Sequence, residues 1–129
     1  MERTTVSSGT AWEPKVGYSR AVRVGPHVHV SGTTATDEDG AVVGETAYEQ
    51  TATALSNVVS ALERAGASVE DVVRTRLYVL DADAWEDVGR AHAEVFGDVR
   101  PAATMVEVSR LVDPAMLVEV EATAIVADE

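Results

Sequence analysis

The sequence predicts an α/β (α+β) domain in which about six strands form a sheet and two helices cover one of its faces. Three observations predict it. Apolar residues follow helical spacing in two stretches and alternate in the others. The β-type runs are short and punctuated by Gly, Pro and Asp turn signals. The 129 residues show no shift in composition, which suits one domain, 1–129, burying roughly two-thirds of the surface its unfolded chain exposes.

Residues 3–6 read as a short first strand, followed by a Ser-Ser-Gly turn. Residues 21–24 and 27–31 are two further β-type runs, and Gly25-Pro26 between them makes a hairpin that ends at Ser31-Gly32. Asp37-Glu38-Asp39-Gly40 is a turn in which Gly40 suits positive φ. The clearest helix covers residues 46–65: Ala52, Leu55, Val59 and Leu62 recur at spacings of 3, 4 and 3, and Gly66 stands where a left-handed cap stops the helix. The period then falls to two over residues 72–80, where β-branched residues gather. A second helix runs from about Asp83 to Phe96. Asp83 and Glu86 have near-capping-box spacing, Trp85, Val88, His92 and Val95 share a face, and Gly97 followed by Arg100-Pro101 ends it. Residues 103–108 and 117–126 are the last two strands, with the turn at Asp113-Pro114.

In the last strand Val118, Val120, Ala122, Ala124 and Val126 form a uniformly apolar set that belongs under the helices. The opposite set mixes Leu117 and Ile125 with Glu119 and Glu121, and Arg74, Arg76, Tyr78 and Leu80 of the 72–80 strand share that face if they point the same way. A partly apolar, partly charged face with no helix over it suits a subunit interface; the alternative is a solvated sheet face with surface ion pairs.

Composition narrows the function. There is no cysteine, which excludes disulfides, thiolate metal sites and a cysteine nucleophile, and fits a reducing cytoplasm, the expected location. Residues 1–12 are polar, without the apolar stretch of a signal peptide. No apolar run approaches the roughly 20 residues needed to cross a bilayer. The net charge is −12 with no cluster of Lys or Arg, a field that repels phosphate backbones and anionic lipid. Nucleic acid and membrane are therefore not expected partners, whereas a small molecule and further copies of the chain are.

Three blocks carry a resemblance. Ser31-Gly32, Arg100-Pro101-Ala102-Ala103-Thr104-Met105-Val106-Glu107-Val108 and Val118-Glu119-Val120-Glu121-Ala122-Thr123-Ala124 are similar to the signature blocks of the Rid family, the YjgF-like reactive intermediate deaminases. The likeness covers almost the whole chain. It implies a chorismate-mutase-like fold with a mixed sheet, a homotrimer with three intersubunit clefts, and no cofactor. It also implies hydrolysis of reactive enamines and imines, such as 2-aminoacrylate, to 2-oxo acids and ammonia. In well-studied members an arginine after Pro-Ala forks onto the substrate carboxylate, a glutamate of the last strand positions or activates water, and a tyrosine near the N-terminus lines the cleft. Glu119 and Tyr18 fall on the last two positions.

The arginine position is Ala103. A guanidinium offers a planar pair of donors that matches a carboxylate, and a methyl group offers none. Charged hydrogen bonds are worth about 1.5–3 kcal/mol each, so losing the pair removes roughly two to four orders of magnitude in selectivity for an anionic imine. Gly89 is a second departure, standing where the typical deaminase has asparagine. The expectation is a Rid-like protein acting on a less anionic enamine, imine or carbonyl-derived intermediate; the alternative is a non-catalytic small-ligand-binding or protective module using the same cleft.

The other site candidates each have two readings. Glu119 is a general base or acid, or it pairs with Arg76 or Arg74. Arg76 supplies the missing cation from another strand, or forms an interface salt bridge. Tyr18 donates a hydrogen bond to a ligand oxygen, or makes an interface bond. Gly32 lets backbone approach a ligand closely, or is a plain turn glycine. Thr104 and Met105 flank Ala103 and line a softer, more apolar pocket, or belong to ordinary strand packing. His92 lines the cleft as an acid/base group, or is a core or interface histidine. His27 and His29 share a strand face but lack a third ligand at useful spacing, so no metal is expected. The sequence contains no phosphate-binding glycine loop and no serine-hydrolase elbow.

Overall fold

The computed structural model describes residues 1–127. Six strands form one sheet: β1 (Arg3–Val6), β2 (Ala21–Val24), β3 (His27–Thr33), β4 (Val72–Val79), β5 (Ala102–Glu107) and β6 (Val118–Ile125). Their order is β1-β2-β3-β6-β4-β5. All pairs are antiparallel except β4–β5, which is parallel and joined through a helix, so the sheet is mixed.

The helices are α1 (Trp12–Val16), α2 (Ala47–Arg64) and α3 (Trp85–Phe96). Thr46 starts α2 with a full capping box: its hydroxyl accepts from the Glu49 N–H and the Glu49 carboxylate accepts from the Thr46 N–H. Gly66, at φ 85°, follows its end in the left-handed region. The buried face of α2 is Thr51, Ala54, Leu55, Val58, Ala61 and Leu62. Leu55 and Leu62 lie on it as the spacing predicts, but Ala52 and Val59 are only partly buried. The stripe is centred nearer Ala54 and Ala61, whose small side chains suit a close approach to the sheet.

Under the helices lie Val118, Val120, Ala122 and Ala124 of β6, Val28 and Val30 of β3, and Leu77 and Val79 of β4, all buried. Val126 is partly buried beyond the strand end. From α3, Val88, Ala91 and Phe96 turn inward, while Trp85 is 59 % exposed and lies off that face.

Buried Gln50 ties this layer to the start of β6. Its Nε2 donates to the carbonyls of Gly44 (3.1 Å) and Ala115 (2.8 Å), and its Oε1 accepts from the Leu117 N–H (2.8 Å). A buried amide with partners on both ends fixes two loops at once, and Glu119 emerges two residues later.

The five-residue α1 is an addition to the sequence expectation, which has only the Ser7-Ser8-Gly9 turn ahead of it. Gly17 closes it at φ 93°. Its anchor is Glu13, 3 % exposed, whose carboxylate accepts from the Ser8 N–H, the Ser8 hydroxyl and the Thr10 hydroxyl.

Candidate functional site

On the sheet face away from α2 and α3, strand register sets Tyr78 opposite Glu119, Arg76 opposite Glu121 and Arg74 opposite Thr123. Tyr78 donates its hydroxyl proton to Glu121 Oε1 (3.0 Å), and Arg76 Nη1 lies 3.7 Å from the same oxygen. Arg76 therefore pairs with Glu121, not with Glu119, and faces a small recess of about 170 Å³ shared with His29 and Arg74. Arg74 Nη2 donates to Thr104 Oγ1 (3.2 Å). Its Nε is buried without a partner among the described residues.

Glu119 points toward the other end of β6, where β3 is irregular. The β3–β6 ladder runs regularly to Val30–Ala122 and resumes at Thr33–Val120. The displaced residues between are Ser31 and Gly32. A Cβ on Gly32 would overlap Glu119 Oε2 and lie 2.8 Å from Cδ and 3.2 Å from Cγ. The missing side chain of Gly32 is thus the seat of the Glu119 carboxylate. The sequence suggests a close approach to a ligand or a plain turn for Gly32; the close approach within the chain is to Glu119.

Partly buried Glu119 opens onto a broad cavity of about 1250 Å³ whose wall includes Tyr18, Arg20, Gly32, Asn57 and Arg64. Asn57 Nδ2 donates to the Thr34 and Thr36 carbonyls (3.1 and 3.0 Å), holding the loop after β3 against α2. Burial pushes the Glu119 carboxyl above the usual carboxylate range; the Glu121 charge adds to the rise and Arg20 opposes it. A carboxyl poised this way exchanges protons nearer neutrality than a solvated one.

The remaining candidates stand elsewhere in the chain. Ala103 and Thr104 are exposed on the edge strand β5, and Met105 packs partly buried against the core. Ala103 lies opposite Thr75, and Glu119 opposite Tyr78. Two strand spacings and three residues along β4 separate them, about 14 Å. Gly89 is exposed on α3, with nothing near a would-be Cβ. His92 lies on the helix-covered side: its Nε2 is 2.9 Å from Thr75 Oγ1 and its ring is 4.8 Å from that of Phe96. Burial lowers its pKa.

The sequence reading missed Arg20. Its Nη1 donates to the Gly32 carbonyl (2.6 Å) and Thr33 Oγ1 (3.1 Å), its Nη2 donates to the Tyr18 hydroxyl oxygen (3.3 Å), and its Nε lies 3.7 Å from Glu13 Oε2. Only its place next to a candidate tyrosine, two residues away, hinted at this.

Among the described residues no helix is long and apolar enough to cross a membrane. The chain matches the family model described as endoribonuclease L-PSP over residues 8–126. It is 40 % identical over 119 residues to the uncharacterized protein SCO2049 of Streptomyces coelicolor, covering 92 % of this chain and 89 % of that one. It is 36 % identical over 125 residues to the RutC family protein PYRAB12510 of Pyrococcus abyssi, covering 96 % and 98 %. The crystal structure of Rv2704 from Mycobacterium tuberculosis, a member of the YjgF/YER057c/UK114 family, superposes with a TM-score of 0.90 at 50 % identity, covering 97 % of this chain and all of that one. The chain belongs to the endoribonuclease L-PSP family, the YjgF or Rid family, and has its chorismate-mutase-like fold.

Proposed function

We propose that the protein hydrolyses a small enamine, imine or related carbonyl-derived intermediate that lacks the carboxylate of an imino acid. The carrying observation is Glu119, seated against Gly32 in the cavity that Tyr18 also lines, with its carboxyl pushed up by burial. Water adds to the imine carbon while Glu119 takes one of its protons and passes it to the nitrogen, giving the carbinolamine; Glu119 then carries the carbinol hydroxyl proton to the same nitrogen as the C–N bond breaks, and carbonyl compound and ammonia leave. An enamine enters the same sequence after tautomerising to the imine. Stabilisation of the charge that develops falls to hydrogen-bond donors already in place.

The cleft lies between copies of the chain, in a homotrimer. Glu119 and Ala103, positions that would meet one ligand, are about 14 Å apart in one protomer by register, so β5 of a neighbouring copy is the strand that brings residue 103 to Glu119. Ile125 and Val106, 44 % and 43 % exposed, leave apolar surface for that contact. The absence of cysteine suits a cytoplasmic setting. A ribonuclease role is disfavoured by the net charge of −12.

A non-catalytic binding or protective role is favoured by one observation: Ala103 and Gly89 are both bare of polar side chain. Ammonia release from freshly generated 2-aminoacrylate decides between them. Wild type should be slow, and Ala103→Arg should gain about two to four orders of magnitude, with Glu119→Gln abolishing the gain. A folded Ala103→Arg protein with no gain overturns the hydrolytic reading and leaves the binding module. High wild-type activity overturns the move away from carboxylates.

A further inference from the structure

Arg20 reaches the cavity wall but is nearly withdrawn from solvent, with its side chain 11 % exposed. Three of its N–H bonds go to Gly32 O, Thr33 Oγ1 and the Tyr18 hydroxyl, and Nε faces the buried Glu13 carboxylate. A guanidinium has five donors and no acceptor. With these commitments it has no free parallel pair, so it cannot fork onto a carboxylate in place of the arginine missing at Ala103.

The same bonding fixes the polarity of Tyr18. Toward Arg20 the phenol oxygen can only accept, so its proton must point elsewhere. Among the described residues no hydrogen bond takes that proton, and Tyr18 lines the cavity that holds Glu119. Accepting from a cation also strengthens the phenol as a donor. The Gly32 carbonyl, held by Nη1 at 2.6 Å, belongs to the residue that seats the Glu119 carboxylate. One buried cation thus orients the tyrosine and the glutamate's seat together. It is in turn anchored by Glu13, which Ser8 and Thr10 hold.

We propose that Arg20 is a positioning residue that turns the Tyr18 hydroxyl proton into the cavity that Glu119 also lines, so that Tyr18 meets a ligand there as an obligatory donor to an acceptor such as a carbonyl oxygen or imine nitrogen. This rests on the cleft assigned above but not on turnover. It excludes Arg20 as a direct anion ligand and names the ligand class by what Tyr18 can offer.

The test is binding of 2-butanone by ligand-observed NMR, with the Tyr18 and Gly32 amide signals reporting where it binds. Tyr18→Phe and Arg20→Met should each weaken the ketone about tenfold, the worth of one oriented hydrogen bond. The double variant should be no weaker than either single one, because both remove the same bond. Arg20→Lys, which keeps the charge beside Glu13 but not the planar fork, should retain part of the affinity, and it replaces Arg20→Met in the cycle if that variant does not fold. Additive losses, or an Arg20 variant that leaves ketone binding intact, would each overturn the proposal. Ketone binding that leaves the Tyr18 and Gly32 signals unmoved would overturn the cleft and this proposal with it. The predicted cycle without any ammonia release in the 2-aminoacrylate assay would uphold Arg20 and overturn only hydrolysis.

Discussion

Gly32→Ala puts one methyl group where the Glu119 carboxylate rests. The new Cβ would stand 2.8 Å from Glu119 Cδ; ordinary contact is about 3.6 Å, so Cδ must retreat by about 0.8 Å and the carboxylate oxygen farther. Gly32 does not have positive φ, so the backbone accepts alanine without strain. The obstacle is the end of a flexible side chain, and the cost is that of an off-rotamer glutamate, about 0.5–1.5 kcal/mol. For a domain of this size that lowers Tm by about 2–8 °C. The chemical effect is larger, because misplacing a reacting group by about 1 Å costs about 100-fold in rate. Moved toward solvent, Glu119 also loses part of the burial that raises its pKa, so it should titrate closer to an ordinary carboxyl. With glutamate labelled at the δ carbon, 13C NMR follows this directly, and the signal missing from Glu119→Gln gives the assignment. An unchanged Glu119 titration in a folded Gly32→Ala protein would refute the seat, and a fall in Tm of more than about 15 °C would show that the glycine serves the backbone instead.

Glu119→Gln should stabilise the protein near neutrality. A folded-state pKa above the ordinary carboxylate value means that wild type loses stability as pH climbs from the ordinary value through the raised one. Tm-against-pH curves of the two proteins should run parallel at acid pH and separate above it, and equal slopes throughout would count against a raised Glu119. Thr46→Ala removes the hydroxyl half of the α2 capping box and should cost about 1 kcal/mol, or about 3–6 °C in Tm. Thr46→Ser should recover most of that, which a melting series checks.

Which parts of the molecule were legible in the sequence follows from the range of the forces involved. The alternation in residues 117–126 and the spacing of Leu55 and Leu62 are local consequences of burying one face, and both appear where the sequence put them. Helix α1 is too short to have a period; it exists because Glu13 gathers Ser8 and Thr10 around a buried carboxylate. Gln50 and Arg20 look like any surface polar residue until the chain folds over them, since nothing in their neighbours announces a buried partner. Glu119 was visible as a candidate, but its contact with Gly32 needed the β3–β6 pairing and the irregularity after Val30. The β4–β6 register gave Arg76 to Glu121 instead of Glu119.

The distribution of the candidate residues over the sheet bears on how such a site changes its ligand. Ala103 is exposed on an edge strand, and surface substitutions away from special features usually shift stability by less than about 0.5 kcal/mol. The recognition proposed for residue 103 is therefore nearly independent of the fold. Arg20 and Glu13 are the opposite case. Their side chains are 11 % and 4 % exposed and each is held by several hydrogen bonds, and leaving such groups unpaired costs about 1–3 kcal/mol each, a sizeable part of a small domain's stability. The groups that orient Tyr18 and seat Glu119 are thus bound up with folding, while the group that would read a substrate's charge is not. Under the proposed function, a chain built this way exchanges an anionic ligand for a neutral one by a single edge-strand substitution and keeps the Glu119 carboxyl in place.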